Sequence, residues 1–304
     1  MRIFVTGATG FIGSAVVTEL IEAGHEVVGL TRSDHGADRL ASVGAEAHRG
    51  DLDDLDGLRR GAAGADGVIH TAYIHDFSQM PLAAQTDRRA IEALGGELEG
   101  SGRPLVITTG TALINPGSIA TEDDAVDPAT AAHPRAQAEP LAIALSQRGV
   151  RSAIVRPGAS VHGEGDHGFV PFLIELARTK GVSGYIADGA NRWPAVHRLD
   201  AARLYRLALE QAPAGSVFHA IGDEGVATRE IAEIIGRHLD IPVVSISPED
   251  APEHFGWMSA FWALDAPASS ALTQARLGWK PTHIGLVEDL EQGHYFQSTA
   301  VAVK

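Results

Sequence analysis

Near its start the chain switches hydrophobic period twice, marking a strand, a helix and a second strand. Ile3-Phe4-Val5 is a β-branched and aromatic run of the kind that forms a buried strand. Val16, Leu20 and Ala23 then lie beside Val17, Ile21 and Gly24 at the i, i+3/i+4 spacing of an amphipathic helix. Gly24 is placed as its left-handed C-terminal cap, a conformation glycine takes without a Cβ penalty. His25-Glu26-Val27-Val28-Gly29-Leu30 returns to strand composition and completes a compact βαβ unit.

The turn inside that unit is Gly7-Ala8-Thr9-Gly10-Phe11-Ile12-Gly13. Free N–H groups and the dipole at a helix N-terminus favour an anion, and a pyrophosphate there must approach the backbone closely. A side chain at Gly7 or Gly10 would block the turn or that approach, and Gly13 lets the helix pack on the strand. Such a spacing can be a turn and nothing more, but its place between a strand and a helix predicts a dinucleotide cofactor. About 20 residues further on, an acidic side chain would hold a ribose 2′-hydroxyl. The chain has Thr31-Arg32-Ser33 instead, and a guanidinium pairs well with a 2′-phosphate. NADP(H) is therefore expected ahead of NAD(H). Asp34 nearby opposes this, and Arg32 as a merely solvated side chain is the alternative.

Composition narrows the class. At 304 residues, 44% hydrophobic and 21% charged, the chain has globular usage and the length of one large α/β domain or a domain with an appendage. It has no cysteine, which removes disulfides, thiolate catalysis and Cys-ligated metals. A formal charge of −15 argues against nucleic-acid or anionic-membrane partners. No apolar run reaches bilayer length and no leader-like segment precedes the first strand, so a cytoplasmic protein is expected.

Beyond the turn, the sequence resembles the extended and atypical short-chain dehydrogenases/reductases, the group that contains sugar-nucleotide epimerases and dehydratases. Residues 6–13 are similar to that group's Gly-xx-Gly-xx-Gly opening, and Gly50-Asp51-Leu52-Asp53-Asp54 to its adenine-contacting segment. Asp66-Gly67-Val68-Ile69-His70-Thr71-Ala72 resembles its fourth strand. Arg156-Pro157-Gly158 with Val161-His162-Gly163 resembles the loop facing the nicotinamide, and residues 193–200 a late V-H-x-x-D segment. The resemblance implies an α/β fold, a doubly wound parallel (Rossmann) sheet with a smaller C-terminal substrate-binding portion. Residues 1–158 would bind the dinucleotide and residues 159–304 the substrate, interleaved with the last sheet elements. Residues 106–109 and 153–156 then read as the fifth and sixth strands. Residues 135–148 read as a helix bearing Leu141, Ala144 and Leu145 on one face, and residues 201–209 as another. The implied cofactor contacts are Gly7, Thr9, Gly10, Phe11, Ile12, Gly13, Thr31, Arg32, Ser33, Asp51, Leu52, Thr71, Ala72, Tyr73, Thr108, Arg135, Pro157, Gly158 and Val161. A homodimer through the helices at about 83–99 and 134–148 is implied as well.

The catalytic pattern of the group is broken here. Its members carry a Tyr that donates a proton and a Lys four residues later, yet none of Tyr73, Tyr185, Tyr205 and Tyr295 precedes a Lys at that spacing. Counting back from Arg148-Gly149-Val150 without a gap puts Ala131 at the Tyr position and Arg135 at the Lys position; a second register puts His133 and Gln137 there. Arg135 can still donate hydrogen bonds to a ribose but exchanges no proton near neutral pH. Tyr73, His133, His75 and His162 are the candidates for a substitute proton donor. Thr109 is expected to orient a substrate carbonyl, although Thr is favoured in strands anyway. Asp87 stands in place of the group's helical Asn and would hold a water or shuttle a proton, or else pair with a neighbouring Arg; Asp76 invites the same two readings. The loop at 161–169, with His162, Glu164, Asp166 and His167, reads as a flexible lid in preference to a metal site. Trp193 and Trp257 are pocket walls or core. The expected activity is NADP(H)-dependent reduction of a small or medium carbonyl substrate. A sugar-nucleotide epimerase or dehydratase and a non-catalytic NADP(H) sensor are the alternatives.

Overall fold

The computed structural model describes residues 1–126 and 133–297. Its main sheet contains β1 (Arg2–Thr6), β2 (Glu26–Thr31), β3 (Glu46–Arg49), β4 (Gly67–His70), β5 (Pro104–Thr108), β6 (Arg151–Pro157) and, much later, β10 (Ser216–Ala220). The order across the sheet is β10-β6-β5-β4-β1-β2-β3, and every pairing is parallel. Alternation along β1 divides the core in two. Ile3 and Val5 point to one face and Phe4 to the other, all three at 0% exposure. On the first face Val16 and Leu20 of α1 (Phe11–Glu22) meet Leu204 and Ala208 of α7 (Arg198–Gln211). On the second, Leu58 of α3 (Leu55–Ala63), Leu94 of α4 (Met80–Glu97) and Leu145 of α5 (Ala138–Gln147) cover the sheet. Helices on both faces of a parallel sheet make this a doubly wound Rossmann fold.

Helix α5 starts later than its sequence suggests. Pro134–Gln137 is a single 3-10 turn and the α-helix begins at Ala138. Pro140 accounts for the break: in a helix running from Arg135 its ring would clash with the carbonyl of Ala136, whereas in the first turn of α5 its missing N–H costs nothing. The buried face is correspondingly Ala138, Ala142 and Leu145, and Ala144 faces solvent.

After β6 the chain leaves the sheet to begin a second core, returns for α7 and β10, and leaves again. That second core contains β7 (Ser160–His162), α6 (Phe169–Lys180), β8 (Ser183–Ile186) and β9 (Arg192–His197). It is completed by β11 (Asp223–Ala227), α8 (Thr228–Leu239) and β12 (Val243–Ile246). β11-β9-β7 and β12-β8 form two small sheets around Trp193, Ile231, Ile235 and Trp262. Among the described residues no helix is long and apolar enough to cross a membrane.

Candidate functional site

The sheet order runs in opposite directions from β1 and β4, so a crevice opens between their carboxyl ends. At the end of β1, Gly7 adopts φ +69°, and a Cβ there would lie 2.7 Å from the Ala72 amide nitrogen and from Thr71 Oγ1. A Cβ on Gly13 would lie 2.0 Å from the Gly7 carbonyl oxygen, so the first turn of α1 rests directly on the glycine turn. The Gly10 amide donates to the Gly7 carbonyl at 2.8 Å, and Gly10 enters the helix with no side-chain cap. The first amides of α1, at Phe11, Ile12 and Gly13, are thus left for a ligand to satisfy. Two guanidiniums flank them. Arg39 donates to the Thr9 carbonyl at 3.2 Å, and the Arg198 Cζ lies 4.8 Å over the Phe11 ring. A backbone cradle that excludes side chains, a helix N-terminus and two cations fit a pyrophosphate.

The adenosine side gathers at the ends of β2 and β3. The Gly50 amide donates to the Thr31 carbonyl at 3.2 Å, bringing residues 50–52 alongside β2. Asp51 Oδ1 accepts the amides of Asp53 and Asp54 at 2.9 and 3.0 Å, and Leu52 is buried in the core. Ser33 caps α2 (Asp34–Ser42) by accepting the Gly36 amide at 3.1 Å. Arg32 is exposed and, among the described residues, makes no hydrogen bond or ion pair, while Asp34 is drawn to Arg49 at 3.1 Å.

A buried relay lies beneath the crevice. Thr6 Oγ1 meets His70 Nδ1 at 2.7 Å, and His70 Nε2 meets Asp87 Oδ1 at 3.0 Å. An Nε2–H donated to Asp87 leaves Nδ1 to accept the Thr6 hydroxyl, whose oxygen in turn faces the Ala72 amide at 3.4 Å. Asp87 is therefore neither paired with an Arg nor in the crevice: it is 4% exposed and anchors His70 between β4 and α4. The sequence signal for this relay was a His ending an apolar strand, with a carboxylate on the next helix.

The reaction end is built by the segments after β4 and β5. Arg135 stacks on Tyr73, its Cζ 3.7 Å from the ring centroid, and its Nη2 reaches the Thr109 carbonyl at 3.5 Å. Among the described residues the Tyr73 hydroxyl has no hydrogen-bond partner. The Thr109 hydroxyl donates to Glu139 Oε1 at 2.7 Å, so its proton is taken up inside the protein and does not orient a carbonyl. Glu139 also accepts both arms of Arg156, at 2.8 and 2.5 Å. Thr108 donates to the His70 carbonyl at 2.9 Å and lies 2.7 Å from the Tyr205 hydroxyl of α7, so both threonines are held from below. His133 Nδ1 accepts the Arg135 amide at 3.3 Å; burial, then the Arg135 charge, lowers its pKa and keeps it neutral. His75 stands at the mouth, 5.2 Å ring to ring from Tyr73. Partial burial of its imidazole, then the Arg135 charge and the neighbouring His167, hold its pKa down to about 4. Asp76 only caps the turn that follows, accepting from Ser78. Ala131 lies outside the described residues.

Across the crevice, a Cβ on Gly158 would lie 2.5 Å from the Pro194 carbonyl, so the loop after Pro157 is pressed against β9, with Val161 half-buried on β7. His162 is fully buried and bound through Nδ1 to Asp289 at 2.8 Å, and its Nε2 has no hydrogen-bond partner among the described residues. The loop at 163–168 lies across the glycine turn: the Glu164 carbonyl accepts from Arg198 at 3.0 Å, and the His167 ring is 5.8 Å from Phe11. It is latched from the far end of the chain. Tyr295 donates to Asp166 Oδ2 at 3.1 Å, and burial pushes the Asp166 carboxyl up to about 6. Of the two tryptophans singled out, Trp193 is core and Trp257 is half-exposed.

Sheet order and glycine cradle together define a Rossmann protein built for a nicotinamide dinucleotide. Residues 3–221 match the NAD dependent epimerase/dehydratase family, and the chain belongs to it, which makes it an NAD(P)-dependent oxidoreductase or epimerase of the extended short-chain dehydrogenase/reductase class. An uncharacterized protein of Schizosaccharomyces pombe is 52% identical over 97% of this chain and 100% of its own length. A 4-hydroxy-2-methyl-3-oxo-4-farnesyl-3,4-dihydroquinoline-1-oxide ketoreductase of Stigmatella aurantiaca is 26% identical, covering 89% of this chain and 84% of its own. The dTDP-glucose 4,6-dehydratase of Streptomyces venezuelae, solved with NAD bound, superposes with a TM-score of 0.78 over 97% of each chain at 21% identity, a likeness of fold.

Proposed function

We propose that the chain is an NADP(H)-dependent reductase of carbonyl compounds in which Tyr73 and Arg135, from separate loops, replace the missing Tyr-xxx-Lys relay. The observation that carries this reading is the guanidinium of Arg135 stacked 3.7 Å over the Tyr73 ring. When bound, the reduced nicotinamide supplies the electrons for carbonyl reduction. The chain holds it, seats the substrate and delivers one proton. Tyr73 gives that proton from a hydroxyl with no partner among the described residues, and the permanent charge of Arg135 stands beside the group that loses it. His133 is unsuited to the task because its Nδ1 is occupied and its imidazole is kept neutral.

Preference for the 2′-phosphate rests on Arg32, just before the N-terminus of α2 and unpaired among the described residues, where Asp34 is held by Arg49. The alternative of a nucleoside diphosphate sugar substrate lacks support, since it needs a second diphosphate anchor. Among the described arginines after residue 159, all but Arg198 have carboxylate partners, such as Arg192 with Asp265 and Arg229 with Glu233. Arg198 itself is turned toward the glycine turn. The test is NADPH oxidation against a panel of carbonyl compounds, with Tyr73→Phe expected to lower kcat by about 100- to 10,000-fold at unchanged NADPH affinity. Tight NADPH binding with no turnover across the panel would sink the reductase and leave a cofactor-binding sensor.

A further inference from the structure

We propose that residues 163–168 form a strap across the pyrophosphate that the Tyr295 hydroxyl latches shut, so that the dinucleotide enters and leaves only when this latch opens. This inference rests on the cofactor part of the reading above and is independent of the reaction catalysed.

Both ends of the segment are fixed and its middle is hinged. His162 precedes it, fully buried and bound to Asp289, and Val170 of α6 follows it at 0% exposure. Between them Gly163 and Gly165 hold φ +128° and +83°, angles that glycine takes without strain and that suit a hinge. Two contacts lay the strap over the first residue of α1. The His167 ring is 5.8 Å from that of Phe11, and the Glu164 carbonyl accepts from Arg198 at 3.0 Å, while the Arg198 Cζ sits 4.8 Å over the same Phe11 ring. His167 also adds to the lowering of the His75 pKa, so the strap reaches from the glycine turn to the mouth of the crevice.

Charge indicates what the strap covers. Arg198 is half-buried and makes no ion pair among the described residues. Burial lowers its pKa, Glu164 offsets part of this, and the Arg39 charge lowers it further. Two guanidiniums that repel one another beside an open helix N-terminus form an arrangement that a doubly charged pyrophosphate relieves.

The latch stands on a fixed post. The Tyr295 hydroxyl accepts the Gly163 amide at 3.1 Å and donates to Asp166 Oδ2 at 3.1 Å, gripping the strap at two points. Its own turn (His294–Phe296) is held by Arg178, which donates to the Phe296 carbonyl at 2.9 Å, and by the His238 ring stacked 4.3 Å from Phe296. Asp289 accepts from His294 at 2.9 Å as well as from His162, which ties the post to the root of the strap. Loss of one hydroxyl therefore frees the strap and leaves its supports in place.

Stopped-flow NADPH fluorescence tests the strap, with association followed on mixing and release followed by chasing with excess NADP. Tyr295→Phe removes both latch hydrogen bonds, each worth roughly fivefold in an equilibrium, so both rate constants should rise about 10-fold or more while Kd stays within about threefold. Asp166→Ala breaks the latch from the strap side and should raise both rates about fivefold. Hydrogen exchange should quicken in residues 163–168 of these variants and stay unchanged in β1, which separates an unlatched strap from a loosened fold. Arg198→Gln should weaken NADPH and NADH alike by at least about 10-fold. Wild-type rates in both latch variants overturn the strap while the cofactor site stands. Faster release alone, with an equal rise in Kd, overturns it too, because Tyr295 is then only a support for the bound state. Unchanged affinity in Arg198→Gln removes the strap from the pyrophosphate, and failure of the wild-type protein to bind NADPH overturns the cofactor reading itself.

Discussion

Replacing Gly13 by Ala is the sharpest test of the cofactor cradle. The new Cβ would stand 2.0 Å from the Gly7 carbonyl oxygen and 2.7 Å from its carbon, both backbone atoms that no rotamer change can move. Ordinary contact needs roughly 3.4 Å, so α1 and the turn must separate by more than about 1 Å. A pyrophosphate held by amides of both pieces would lose about two charge-assisted hydrogen bonds. At about 1.5 kcal/mol each this amounts to about 3 kcal/mol, or roughly a 150-fold rise in Kd. Fluorescence titration with NADPH measures it, and thermal melting shows the separate overpacking cost of about 1–3 kcal/mol. Gly24→Ala is the control. Gly24 holds φ +84° with nothing near its Cβ direction, so it should cost about 1 kcal/mol of stability and leave NADPH affinity alone. Wild-type affinity in Gly13→Ala would show that the helix does not rest on the turn during binding, and the cradle argument would fail.

Three further outcomes are expected. Arg32→Ala should weaken NADPH at least about 10-fold and NADH little, in parallel titrations, whereas Arg39→Ala, beside the pyrophosphate, should weaken both; equal losses for both nucleotides in Arg32→Ala would remove the 2′-phosphate reading. Glu139→Gln leaves the buried Arg156 guanidinium short of a counter-charge and should destabilise the protein by about 3–5 kcal/mol in denaturant melts. The Asp166 carboxyl is raised by burial to about 6, so the folded state favours its protonated form. Its contribution is full below about pH 4 and is lost as pH rises toward 6. Melting temperatures of Asp166→Asn and wild type, compared at pH 4.5 and 7, should shift in favour of the variant at the higher pH, and parallel curves would refute this.

The cofactor end of the molecule was legible in the sequence because it is made of contiguous residues. Gly7, Gly10 and Gly13 lie within one turn, and Thr31, Arg32 and Ser33 end the next strand, so local spacing carries their geometry. What escaped was made by distant residues. Arg39 reaches the glycine turn from the far end of α2, and Arg198 crosses to Phe11 from a helix 187 positions later in the chain, since 198 − 11 = 187. No periodicity signals such contacts. Tyr73 and Arg135 could each be named as candidates, but their stacking depends on how two loops fold over the sheet. Thr109 was read as orienting a carbonyl from a strand end, and Asp87, standing in place of the group's helical Asn, as holding a water, shuttling a proton or pairing with an Arg. The partners that turn them inward, His70 and Glu139, look in the sequence like ordinary strand and helix residues.

The route of the chain also bears on how the protein is made. β6 has an unpaired edge, and the apolar face of α1 stays uncovered, until α7 and β10 have been synthesised. Roughly 60 residues separate the end of β6 from that of β10, about 3–12 s of translation at the usual rates. Through that interval a nascent chain holding every residue of the glycine cradle still displays a sticky strand edge beside a bare helix-binding surface. A ribosome-bound chain of this protein is thus most exposed to chaperone capture or self-association late in synthesis, after its nucleotide-binding residues are already made.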